Sequence, residues 1–98
     1  MLDPEKRLAE LCDFLVTRLA PRRIVLIGSR AKGRARPGAD FDLVLEGVSL
    51  GAREERKLHE ELDKIAGLYN VDLLFWERLS PEFQEIVRET GKILYEKN

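Results

Sequence analysis

Gly28-Ser29-Arg30-Ala31-Lys32-Gly33 follows directly on the apolar run Ile24-Val25-Leu26-Ile27, and Asp40-Phe41-Asp42 stands a short distance beyond it. A glycine after a buried strand lets backbone N–H groups approach a phosphate, and a helical turn behind it aims its positive end at the same place. Ser29 adds a hydroxyl donor. Taken alone, Gly-Ser reads as an ordinary strand-to-helix turn. Gly28 and Gly33 also have the Gly-x-x-x-x-Gly spacing of a P-loop, but Arg34-Ala35 occupy the places of its lysine and Ser/Thr, so that site is excluded.

Asp40 and Asp42 are two apart, so in a strand both carboxylates project from the same face. Like charges that close repel and raise one pKa unless a cation lies between them. Mg²⁺ favours carboxylate and phosphate oxygens, so an aspartate pair beside a phosphate turn suits it; the pair alone is also common on solvated strand faces. Asp72, in Val71-Asp-Leu-Leu-Phe-Trp76, is the third candidate. It shares a face with Leu74 and Trp76, so a plain solvent-facing strand does not explain it easily, and burial without a partner is costly. If its strand neighbours the second, three carboxylates gather where two metals can clamp an in-line phosphoryl displacement.

These residues need elements to hold them. Asp3-Pro4 starts a helix whose Leu8, Leu11, Cys12, Leu15 and Leu19 form one apolar face up to Pro21. Cys12 on that face is core rather than nucleophile. Arg23–Ile27 reads as a buried central strand, residues 30–36 as a turn of helix before Pro37-Gly38, and Asp40–Leu45 as a second strand. Ser49 is the expected cap of a helix over about 51–67. Tyr69-Asn70 turns the chain into a third strand, Val71–Trp76. Ser80-Pro81 opens a helix through Thr90, Gly91 closes it, and Ile93–Tyr95 is a short edge strand. The expected fold is a single-domain α/β (α+β) chain, residues 1–98, with a mixed central sheet of about four strands flanked by helices.

Composition narrows the classes. The chain is 98 residues long, 44% hydrophobic and 36% charged, with 4 Pro and 7 Gly, which fits one ordered domain with one modest core. Its longest apolar run is the five residues Ile24–Gly28, so no membrane span is expected. A single cysteine excludes an internal disulfide, and no secretion signal is visible, so a cytoplasmic protein is expected. The net charge of −1 hides a segregation. Seven positive residues (Arg18, Arg22, Arg23, Arg30, Lys32, Arg34 and Arg36) lie between Asp13 and Asp40 without one acid among them, leaving 10 positives against 18 negatives, −8, elsewhere. Such asymmetry points to an anionic partner for one surface.

Together, Gly28-Ser29, Gly33, Asp40-x-Asp42 and the later strand aspartate Asp72 resemble the DNA polymerase β-like nucleotidyltransferase superfamily. More closely, the chain looks like the minimal nucleotidyltransferases (MNT), including the MntA-type antitoxins of HEPN/MNT pairs. The resemblance spans nearly the whole chain and extends to the Gly91-Lys-Ile-Leu-Tyr95-Glu ending. It implies the nucleotidyltransferase fold and two Mg²⁺ ions as cofactors, with Asp40, Asp42 and Asp72 as metal ligands and catalytic residues. It further implies that the Gly28-Ser29 turn holds the triphosphate of ATP or another NTP, and that Asp72 helps activate an acceptor hydroxyl. Arg30 and Lys32, nearest the turn, are the residues expected to neutralise the phosphates. Lys32 stands where many relatives have arginine, and Ala39 where serine commonly precedes the first aspartate; Lys32 keeps the charge but not bidentate geometry.

The expected function is transfer of NMP, AMP from ATP for preference, to an acceptor. The chain has no room for the extra acceptor-binding domain of larger relatives, so a partner chain should hold the acceptor or be it. The resemblance suggests a tyrosine of a HEPN toxin, with this chain as antitoxin. A second class is a non-catalytic binding module that neutralises its partner by contact. Nucleic-acid binding through the basic segment would leave the three aspartates unexplained and is not expected. His59 reads as part of a solvated, charged helix face that also offers a Glu54–Lys57 pair. Phe14, Phe41, Phe75 and Trp76 read as core, with a place under the adenine base as the alternative for any one of them, and Arg22 and Arg23 as contacts to solvent or a partner. The triphosphate is placed at Asp40, where the basic stretch meets the carboxylates.

Overall fold

A computed structural model describes residues 3–33 and 40–98. Helix α1 (Pro4–Leu19) starts as its sequence dictates: the Asp3 carboxylate accepts the Lys6 N–H at 3.2 Å, and proline takes the first turn. It ends at Ala20, whose N–H still reaches the Val16 carbonyl at 3.0 Å and whose left-handed φ of 48° turns the chain out of the helix. Strand β1 (Arg23–Ile27) follows, then β2 (Phe41–Glu46), α2 (Ala52–Ala66), β3 (Val71–Phe75), a 3-10 turn (Trp76–Arg78), α3 (Pro81–Thr90) and β4 (Lys92–Glu96).

The sheet order is β3-β2-β1-β4, with β1 antiparallel to both β2 and β4 and β3 parallel to β2. This is the expected mixed four-strand α+β sheet, with the last strand at an edge. The parallel pair follows from α2, which carries the chain back to the starting end of β2 before β3 begins. As a result, the end of β1 and the starts of β2, β3 and β4 meet at one end of the sheet.

Alternation along the strands divides the apolar residues between two faces. Ile24, Leu26, Phe41, Leu43, Leu45, Val71 and Phe75 pack under Leu11 and Leu15 of α1 and Leu58, Leu62 and Ala66 of α2. Val25 and Val44 face the other way against Val87 of α3, with Leu74 and Trp76 packed beside them. Gly91 is where α3 meets the sheet. A Cβ there would lie 2.5 Å from Val25 Cγ1 and 2.6 Å from the Val87 carbonyl oxygen, so close approach rather than a left-handed cap demands this glycine. Phe14 and Cys12 are partly buried against the main core; burial, with Asp13 adding, raises the Cys12 thiol to about 11, in keeping with a structural role.

Several local expectations are corrected. Residues 30–33 form turns rather than a helix, and the remainder of the 30–36 segment lies outside the described residues. Gly51, not Ser49, caps α2, and Glu54 turns back to accept the Gly51 N–H at 3.2 Å rather than pairing with Lys57. Strand β2 begins at Phe41, leaving Asp40 just outside it, and β3 ends at Phe75 because Trp76 enters the 3-10 turn. Tyr69 is buried in the core instead of merely turning the chain, and His59 is half-buried. Arg23 forms an ion pair with Glu96 at 2.6 Å, while Arg22 lies 3.6 Å from Glu46 and stays exposed to solvent.

Candidate active site

The three aspartates reach the same end of the sheet by different routes. Asp42 lies in β2, paired in register with Ile27 of β1 on one side and with Asp72 of β3 on the other. The row Ile27, Asp42, Asp72 therefore crosses three strands and, by alternation, faces the α3 side. Leu74, two residues along from Asp72, is covered by the Val25–Val44–Val87 cluster, whereas Asp72 is exposed. The burial cost expected for Asp72 is thus avoided, because the cover stops short of it.

Asp42 carries the electrostatic strain of the site. Its pKa is raised above the ordinary 3.8, first by burial, then by a side-chain hydrogen bond with Asp72 and the negative charges of Asp72 and Asp40. Carboxylates set side by side on neighbouring strands repel each other, and a cation placed between them would relieve that repulsion. Gly28 leaves the space. With φ of +81°, it bends the chain at the end of β1, and a Cβ on it would come within 2.8 Å of Asp42 Oδ2.

Asp40 is held separately. Its Oδ1 accepts the side-chain N–H of Asn70 at 3.2 Å, while the Asn70 carbonyl accepts the Phe41 N–H at 2.9 Å. Among the described residues, no three acidic, histidine or cysteine side chains converge as a metal-binding group, so the expected ring of three carboxylates is instead a close pair with Asp40 beside it. That donor set fits Mg²⁺, which is usually held by one or two carboxylates and takes further oxygens from water and substrate phosphates.

Of the expected nucleotide-binding residues, Ser29 and Lys32 are exposed in the turn after Gly28. Arg30 turns inward. Its guanidinium lies 4.4 Å from the Phe41 ring centroid and 5.2 Å from that of Tyr69, and those two rings are 5.0 Å apart. This stack ties the Gly28 turn to the residue between Asp40 and Asp42 and to the neighbour of Asn70. Neither Tyr69 nor Asn70 stood out in the sequence, where a Tyr-Asn pair reads only as a turn. A cavity of about 430 Å³ opens beside Gly47, Ser49 and Leu58, beyond the far end of β2 and away from the carboxylates. No helix among the described residues is long and apolar enough to cross a membrane.

The comparisons with known proteins point the same way. The family described as "Polymerase beta, Nucleotidyltransferase" matches residues 9–98. The Haemophilus influenzae "Probable protein adenylyltransferase MntA" is 31% identical over 100 residues, covering 98% of this chain and 86% of that protein. A chain from the crystal structure of a toxin–antitoxin with AMP-PNP superposes with a TM-score of 0.72 at 23% identity, over 96% of this chain and 74% of that one. A chain from the Shewanella oneidensis complex of a tri-AMPylated HEPN toxin with an MNT antitoxin gives a TM-score of 0.64 at 22% identity, over 95% of this chain and 70% of that one. At those identities the two structures show a shared fold.

Proposed function

On the premise that the chain belongs to the polymerase beta nucleotidyltransferase family, we propose that it transfers AMP from ATP to a tyrosine hydroxyl of a HEPN-domain partner and so acts as its antitoxin. The observation that carries this reading is the Asp42–Asp72 pair, crowded against the space left by Gly28. The protein-adenylylating relative and the neighbour bound to an AMPylated HEPN toxin support the acceptor class. ATP-dependent chemistry of this kind fits the cytoplasm.

In this reading Asp42 and Asp72 would hold Mg²⁺, with Asp40 contributing from the side. Two such ions, when bound, would supply positive charge to neutralise the phosphates and the developing transition-state charge. Gly28 lets the backbone approach the triphosphate, the Ser29 hydroxyl donates to a phosphate oxygen, and Lys32 adds a point charge. Arg30 adds charge and, through its stack, fixes the turn. The acceptor oxygen bonds to the α-phosphorus while the bond to the bridging oxygen breaks and pyrophosphate departs. Asp72, exposed at the strand end, takes the hydroxyl proton. Catalysis is then positioning plus electrostatic stabilisation.

The test uses α-labelled ATP, Mg²⁺ and the protein encoded by the adjacent gene. Label should reach the partner with the native chain and fall by at least about 10²-fold with Asp40→Asn/Asp42→Asn, whose melting should remain cooperative. Undiminished labelling by that double variant overturns the assignment. Neutralisation of the partner without ATP, and by the double variant, would instead establish a contact-only module.

A further inference from the structure

We propose that Asn70 is a positioning residue that holds Asp40 ready for a divalent cation, an inference that rests on the cation-binding reading of the carboxylates. Asp40 precedes the first residue of β2 and is exposed, so the sheet ladder does not by itself fix its side chain. Asn70 supplies the missing constraint twice. Its carbonyl accepts the Phe41 N–H at 2.9 Å, and its side-chain amide donates to Asp40 Oδ1 at 3.2 Å. Since Phe41 pairs with Val71, these bonds continue the β2–β3 alignment by one position, placing Asn70 opposite Asp40 as Asp72 stands opposite Asp42.

The amide is well matched to this task. A carboxylate at position 70 would repeat the repulsion already present between Asp42 and Asp72. A lysine or arginine would neutralise Asp40 and compete with the cation. A neutral donor orients one carboxylate oxygen and leaves the negative charge and the second oxygen available, as partners of metal ligands commonly do. Asn70 is itself well anchored: it is exposed, but Tyr69 and Val71 on either side are both 5% exposed, and the Tyr69 ring packs on Phe41. The same Phe41, which also carries the Arg30 guanidinium, separates Asp40 from Asp42 in the chain.

The test is a titration of the full chain with Mn²⁺ in the presence of a non-hydrolysable ATP analogue, made on the native protein, Asn70→Ala, Asp40→Ala and the double variant. Asn70→Ala should weaken Mn²⁺ binding roughly tenfold in the native background and by less than about twofold once Asp40 is alanine. Metal-free melting temperatures should differ little between the native and Asn70→Ala proteins. An equal loss in both backgrounds, or no loss, overturns the clamp while leaving the cation site standing. Absence of Mn²⁺ binding to the native protein overturns the cation reading itself, and the clamp with it. A further measurement needs no change at position 70: the Asn70 side-chain amide resonances of the metal-free protein should shift on Asp40→Ala, and resonances indifferent to that change overturn the proposal.

Discussion

Asp42 is held where its ionised form costs the fold stability. Burial and its acidic neighbours raise its pKa in the folded chain, so the stability it contributes is fully present below the ordinary 3.8 and is lost as pH rises through the raised value. At neutral pH the ionised pair is a liability to the metal-free fold. Asp42→Asn should therefore raise the metal-free melting temperature at pH 7 by about 1–3 °C, a modest gain because the pair is partly screened by solvent. The gain should vanish near pH 3, and label transfer should be lost at every pH. Calorimetric melts at the two pH values check the sign; a variant that is less stable at pH 7 contradicts it. That Asp42 and Asp72 would meet was legible as a condition, if their strands were neighbours, but nothing in the local spacing identified Asn70 as the partner of Asp40.

The starts of α1 and α3 follow from local sequence more directly than the connections between elements do. Asp3-Pro4 and Ser80-Pro81 both cap helices as their types require, because a side-chain acceptor and a proline act within one turn of chain. Gly91 ends α3 as its type suggests, but its necessity comes from Val25 Cγ1 and the Val87 carbonyl, the first of which belongs to a strand far away in sequence. Gly91→Ala should cost about 1–3 kcal/mol, because the added methyl must displace α3 from the sheet. Denaturant unfolding measures this; a loss below about 0.5 kcal/mol would mean that the contact relaxes freely. Ser49 failed as a cap because Gly51 and Glu54 form a closer arrangement at the start of α2, and this depends on where the chain leaves β2.

At the scale of the molecule, the charge segregation is only partly a property of the site. Arg18 pairs with Glu61, and Arg22 and Arg23 with Glu46 and Glu96, all away from the carboxylates, while Arg30 lies on Phe41 and Tyr69. Of the seven positive residues Lys32 is exposed in the turn after Gly28, and Arg34 and Arg36 lie outside the described residues. The uninterrupted basic run in the sequence is therefore divided in space. A site with a few cations facing one triphosphate should be moderately salt-sensitive: raising KCl from about 50 to 200 mM should weaken nucleotide binding several-fold, against the roughly 10³–10⁵-fold loss of a protein gripping many phosphates. Fluorescence titration with a labelled ATP analogue measures the slope. Tight DNA or RNA binding with the steeper slope would restore the nucleic-acid reading.

The sequence by itself determined the starts of α1 and α3, the apolar strands, the mixed α+β class and the family, since periodicity, proline-assisted capping and the Gly-Ser and Asp-x-Asp spacings are local. The tertiary structure decided which carboxylates face each other, that Gly28 must stay small beside Asp42, that Asn70 holds Asp40, and which arginines face away. Those outcomes depend on strand order and register, which arise from burying two faces of one sheet at once. No window of neighbouring residues contains that information, because the groups that meet at the site come from the ends of different strands.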